Sequence, residues 1–212
     1  MEPIYHSFLT IPILSLLNGI ILLLGFYQFG GLLQKKFEIN VIIKNVSNPE
    51  YQNILVGVIF STIILFPICL FFEKSNLILK FFSYVLFIFG LIRIIKNFDI
   101  FKYNFFSNYK NFTNKNLKFD YVLFIIIFFG LALLSFAPVT SADSLDYHLF
   151  TSKYLINNGS FPLYLTNFHS SYLTGSGEVL IALGLAVGSE QFGSILQYAG
   201  LISLLGILKK NK

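Results

Sequence analysis

The chain has 212 residues, 55% of them hydrophobic and only 12% charged, with a formal net charge of +5 and a mean hydropathy of +0.72. Soluble domains carry roughly 25% charged residues, so these side chains cannot cover a water-facing surface, and lipid must be part of the solvent. The single cysteine, Cys69, excludes an internal disulfide and a thiolate metal cluster.

A helix needs about 20 apolar residues to cross the hydrocarbon core of a bilayer. The start, Met1 to Thr10, lacks the basic region of a secretory signal, so the first apolar run, Ile11 to Leu33, reads as a retained span. Asn53 to Phe72 and Leu77 to Ile95 are the second and third spans. The next segment, Lys96 to Lys118, interleaves Lys with Phe and Tyr. Such mixing can stack on single-stranded nucleic acid, but a loop tethered between two spans is better read as resting on an anionic leaflet. No nucleic-acid partner is expected.

Tyr121 to Val139 is the fourth span, and Phe192 to Leu208, at about 17 residues, is just long enough to be the fifth. Between them lies a loop, Thr140 to Gln191. Ser141 is a plausible cap for a short amphipathic helix from about Ser144 to Ile156. Asn157-Asn158-Gly159 ends that helix, with glycine supplying a left-handed turn. A last apolar piece, Val179 to Val187, is too short to span and is expected to lie along the membrane surface.

The expected fold is therefore all-α: a polytopic membrane protein of about five transmembrane helices, with an external loop carrying short membrane-parallel helices. Residues 1–120 form a three-span region with a basic cytoplasmic loop, and residues 121–212 a span, an external loop over 138–191 and a span. With the N-terminus outside, twelve of the 15 Lys and Arg fall on the cytoplasmic side and three outside, namely Lys74, Lys80 and Lys153. The positive-inside bias favours that orientation in a plasma (inner) membrane.

Under this topology His6, His148, His169, Asp143, Asp146 and Glu178 all face outward. The spans are almost free of ionisable groups, which argues against an ion-coupled transporter. Asp143 stands at the start of the loop helix, with Asp146 three and Tyr147 four positions on, so the three share a face. A carboxylate there can act as general base on a hydroxyl. It can equally serve the helix dipole, and spacing alone leans towards that simpler account. Asp143, Asp146 and His148 make a weak metal set; the sequence leaves a divalent metal open without supporting it, and the cofactor is unknown. His169 is a lone histidine in a wet loop.

The string Asp143-Ser144-Leu145-Asp146-Tyr147-His148, with Asn157-Asn158-Gly159 after it and Gly175-Ser176-Gly177-Glu178 later, resembles the N-terminal part of the GT-C superfamily of polytopic glycosyltransferases. That group includes protein O-mannosyltransferases and the aminoarabinose transferase that modifies lipid A. The resemblance runs from about Tyr121 to Leu208, roughly two-fifths of the chain. Many members have Glu where Ser144 stands.

The resemblance implies sugar transfer from a polyprenyl-phosphate carrier, with Asp143 as catalytic base. Asp146, Tyr147, His148, Lys153, His169 and Glu178 are the candidate substrate-binding residues. The implied partners are the lipid-linked sugar donor, membrane lipids and a second polypeptide supplying further spans, because members usually have about ten spans and later loops that bind the donor phosphate. The chain thus reads as the front part of a longer enzyme. The alternative is a non-catalytic membrane protein, an accessory subunit or an inactive fragment.

Overall fold

A computed structural model describes residues 12–37, 49–112, 119–137, 139, 148–162 and 175–208. Seven α-helices and no strand are found among the described residues: α1 (Pro12–Phe37), α2 (Gln52–Phe71), α3 (Ser75–Phe112), α4 (Phe119–Phe136), α5 (Phe150–Asn158), α6 (Ser176–Ala186) and α7 (Phe192–Leu208). The all-helical expectation holds. Three stretches are long and apolar enough to cross a membrane: Ile13–Phe37, Gln52–Phe71 and Ser75–Lys96. Ile125–Phe136 and Phe192–Ile207 are shorter apolar helices. In α4, Ile126, Phe129 and Leu134 are each more than 60% exposed, which lipid tolerates and water does not.

Between the helices the pattern is inverted. Ser15, Ser61, Ser83 and Gln52 are buried, and Ser61 and Thr62 return their hydroxyls to the carbonyls of Gly57 and Val58 within α2. Small residues bring the backbones together, as lipid-embedded helices require. A β-carbon on Gly25 would run into the Leu86 carbonyl of α3, and one on Gly30 into the Asn53 carbonyl of α2. Arg93 stays with the bundle by bonding Gln28 at 3.0 Å and stacking over the Tyr27 ring.

One end of the bundle collects the connections. The Ser75 hydroxyl and backbone N–H both donate to the Gly159 carbonyl, and the Asn76 amide donates to the Asn157 carbonyl. The N-terminus of α3 is thereby tied to the C-terminus of α5. Near the start of α1, Asn18 donates to the Val187 carbonyl, Ser15 donates to Gln191, and Ser15 Oγ accepts the Glu190 N–H. So α1, α3 and α7 begin at this end and α2 finishes there. At the opposite end, the Tyr51 ring lies against Gly206 near the close of α7.

The structure corrects one expectation and extends another. The sequence pattern of Lys96 to Lys118 predicts a loop, yet α3 continues to Phe112. No glycine or proline interrupts residues 96–112, so nothing in that stretch stops the helix. The second concerns α6. Its apolar run is packed into the bundle: Val179, Ala182 and Leu183 are fully buried in one core with Leu22, Phe26, Leu79 and Phe192. The Leu183 carbonyl accepts a hydrogen bond from Ser83 of α3 at 2.6 Å. A helix apolar on all sides belongs inside a bundle. The α5 terminator came out as expected, with Gly159 left-handed at φ 79°.

Candidate functional site

Of the expected site residues, the structure brings together two, His148 and Glu178. His148 lies on a single wide turn leading into α5, and Glu178 is the third residue of α6. One carboxylate oxygen of Glu178 accepts the backbone N–H of Gly175 at 2.7 Å, closing the first turn of α6. The other lies 2.8 Å from His148 Nδ1. The Glu178 side chain is 5% exposed and that of His148 is 44% exposed.

A carboxylate at a helix N-terminus sits where the backbone N–H groups favour negative charge. An ionised Glu178 can only accept, so the shared proton belongs to Nδ1, and a neutral imidazole then has Nε2 as its acceptor. Ser152 fastens the two elements from behind. Its hydroxyl is fully buried, 2.7 Å from the His148 carbonyl and 2.8 Å from the Glu178 carbonyl. The imidazole is therefore held by its neighbours, which suits a group that must meet a substrate in one orientation.

The pair opens onto a cavity of about 230 Å³. Val139, Glu190, Ser194 and Gln197 line it with His148 and Glu178, and Gly177 forms part of its wall. A β-carbon on Gly177 would meet nothing within 4 Å. Asp143, Asp146, Tyr147 and His169 lie outside the described residues. Even so, both ends of the segment carrying the first three, Val139 and His148, line this cavity. Lys153 belongs to α5 and is not a lining residue of the cavity.

Sequence reasoning missed Glu190, Ser194, Gln197 and Ser152. Glu190 left a trace, an acid in Ser189-Glu190-Gln191 directly before an apolar helix. The others are ordinary polar residues whose role exists only once the helices meet. Among the described residues, no three His, Cys, Asp or Glu gather as a metal cluster would.

The cavity falls inside a recognisable stretch of sequence. A family model described as the DUF1420 N-terminal domain matches residues 93–211, more than half of the chain. The chain belongs to the DUF1420 family. No curated protein and no solved structure matches it. The DUF1420 stretch begins inside α3 at Arg93 and takes in α4 to α7 with every residue named above for the cavity. It leaves α1, α2 and the first half of α3 outside.

Proposed function

We propose that this chain carries the acceptor-activating part of a GT-C-like membrane glycosyltransferase, which moves a sugar from a polyprenyl-phosphate carrier to a hydroxyl outside the cytoplasm. One observation carries the reading: the two ends of the Asp143 segment line a single cavity with the His148–Glu178 pair. That cavity sits at the end of a bundle whose flanks suit lipid, where a carrier with an apolar tail already resides.

In this reaction the Asp143 carboxylate takes the proton of the acceptor hydroxyl. The oxygen forms a bond to the anomeric carbon as the bond from that carbon to the phosphate oxygen breaks. The electron pair leaves on the polyprenyl phosphate. His148, held by Glu178, orients the acceptor, and Tyr147, Asp146, His169 and Lys153 are proposed to complete the surroundings.

We further propose five spans, α1, α2, α3, α4 and α7, with the N-terminus outside. The charge bias of twelve to three supports this, as does the gathering of α5, α6 and the starts of α1 and α3 at one end. A cysteine placed at Asn211 in a Cys69→Ala background should stay unlabelled by an impermeant thiol reagent in intact cells. Labelling there would reverse the orientation.

The catalytic reading is tested in membranes containing the chain and whatever companion it has in its host, supplied with radiolabelled polyprenyl-phosphate hexoses. Asp143→Asn keeps the size but cannot take the proton, so transfer should fall at least ~100-fold, while Asp146→Asn should be far milder. Near-normal transfer by both variants at unchanged protein levels removes Asp143 from the chemistry. A second reading, a non-catalytic subunit, draws on the absence of Lys and Arg among the described lining residues of the cavity. No transfer by the wild-type membranes would favour it.

A further inference from the structure

A second opening lies beside the first. Between α4 and α7 runs a groove of about 310 Å³, lined by Leu131, Leu134 and Ser135 on one side and Tyr198 and Leu201 on the other. Ser194 and Gln197 of α7 line both the groove and the cavity. The two therefore adjoin: a slot lined by leucines, Tyr198 and uncharged polar side chains meets a chamber that adds the ionisable groups His148, Glu178 and Glu190 to an otherwise mostly apolar wall. Together they reach the size of clefts that hold small ligands, roughly 300–1,000 Å³. Beside the slot α4 and α7 are joined: the Tyr198 hydroxyl donates to the Phe128 carbonyl at 3.3 Å, and the two rings tilt together at 5.1 Å.

Charge decides which amphiphile fits. The described lining of the chamber contains Glu178 and Glu190 with His148 and no Lys or Arg. Over residues 138–208 the sequence has four acids, Asp143, Asp146, Glu178 and Glu190, against one cation, Lys153. A phosphate or pyrophosphate head entering here would meet like charge. A head bearing hydroxyls finds acceptors and donors instead, in the carboxylates, the imidazole, Ser194 and Gln197.

We infer that the groove and chamber form one site for a lipid acceptor with an uncharged, hydroxyl-bearing head, its tail between α4 and α7 and its head against His148. The inference rests on the transferase reading and deepens it, because it makes the acceptor a lipid and puts the donor phosphate on the far side of the anomeric carbon, away from the described lining of the chamber. Gly177 marks the chamber wall and Gln197 the neck.

The test measures binding and needs no turnover. The full chain in nanodiscs is exposed to two photoreactive probes with the same diazirine-bearing dodecyl tail, one a β-glucoside and one a monophosphate, and the cross-linked peptides are mapped by mass spectrometry. The glucoside should label 131–135 of α4 and 194–201 of α7 at least ~10-fold more than the phosphate. Gly177→Leu, which fills open space, and Gln197→Trp, which narrows the neck at an exposed position, should each lower glucoside labelling at least ~5-fold. Equal labelling by both probes, or labelling that neither variant reduces, overturns the inference. So does labelling confined to other helices. If a variant fails to fold, the ratio of the two probes on the wild-type chain decides alone. Selective glucoside labelling together with no sugar transfer would sink the transferase reading and leave the lipid site standing.

Discussion

Two flanks of the same bundle are built on opposite terms. On one, α1 meets α2 and α3 so closely that Gly25 and Gly30 face backbone carbonyls of the neighbouring helices, and α6 is sealed into the same core through Leu183 and Ser83. On the other, α4 leans on α7 across a groove, and its outward residues are largely bare. Close packing of this kind has few alternative arrangements and resists deformation. A loosely filled flank can part without breaking an extensive contact. The difference assigns work: the first flank fixes the His148–Glu178 end in place, and the second lets an amphiphile in from the side.

That contrast can be broken most severely at Gly30. Gly30→Leu forces a side chain into the Asn53 carbonyl and the Gly57 backbone, and overpacking against main chain should cost at least ~3 kcal/mol. Thermal unfolding in detergent should show the loss, or no monodisperse protein should be recovered. An ordinary melting curve for this variant would mean that α1 and α2 do not cross as described.

A smaller effect is expected where the two flanks share the site. Glu178→Ala removes both the acceptor for the Gly175 N–H and the partner of His148, for about 1–3 kcal/mol. Glu178→Gln keeps one carbonyl oxygen and should recover part of it. A Gln variant no better than Ala in the same melt would show that the cap contributes nothing. Smallest of all should be Gly130→Leu on α4, where a β-carbon meets nothing within 4 Å; only the helix propensity changes, a gain of about 0.5–1 kcal/mol. A large loss there would mean that this flank is as tightly engaged as the other.

Much of this architecture could be read in the residues, because a span announces itself by length and hydropathy and Gly159 by its Asn-Asn-Gly setting. What escaped reading depends on partners far along the chain. Val179 to Val187 has the same composition whether it rests on a bilayer or is enclosed by α1, α2, α3, α5 and α7; only the neighbours decide. The extension of α3 to Phe112 was hidden by composition, since alternating Lys and aromatic residues carry no apolar stripe. His148 and Glu178 were both singled out, but their bond joins residues 30 apart across a connection with no regular pattern. Ser194 and Gln197 acquire significance only because α4 lies beside them.

The hydrogen bonds from Ser75 and Asn76 to the end of α5, and from Ser83 to α6, bear on how this protein can be divided. All three donors lie upstream of Arg93, where the DUF1420 match begins. A chain cut at that boundary would keep every residue of the cavity and lose three of the side chains that anchor its walls. The unit that is recognisable by sequence is thus smaller than the unit that is mechanically whole. A transplant of the site to another scaffold would have to carry the first turns of α3 with it.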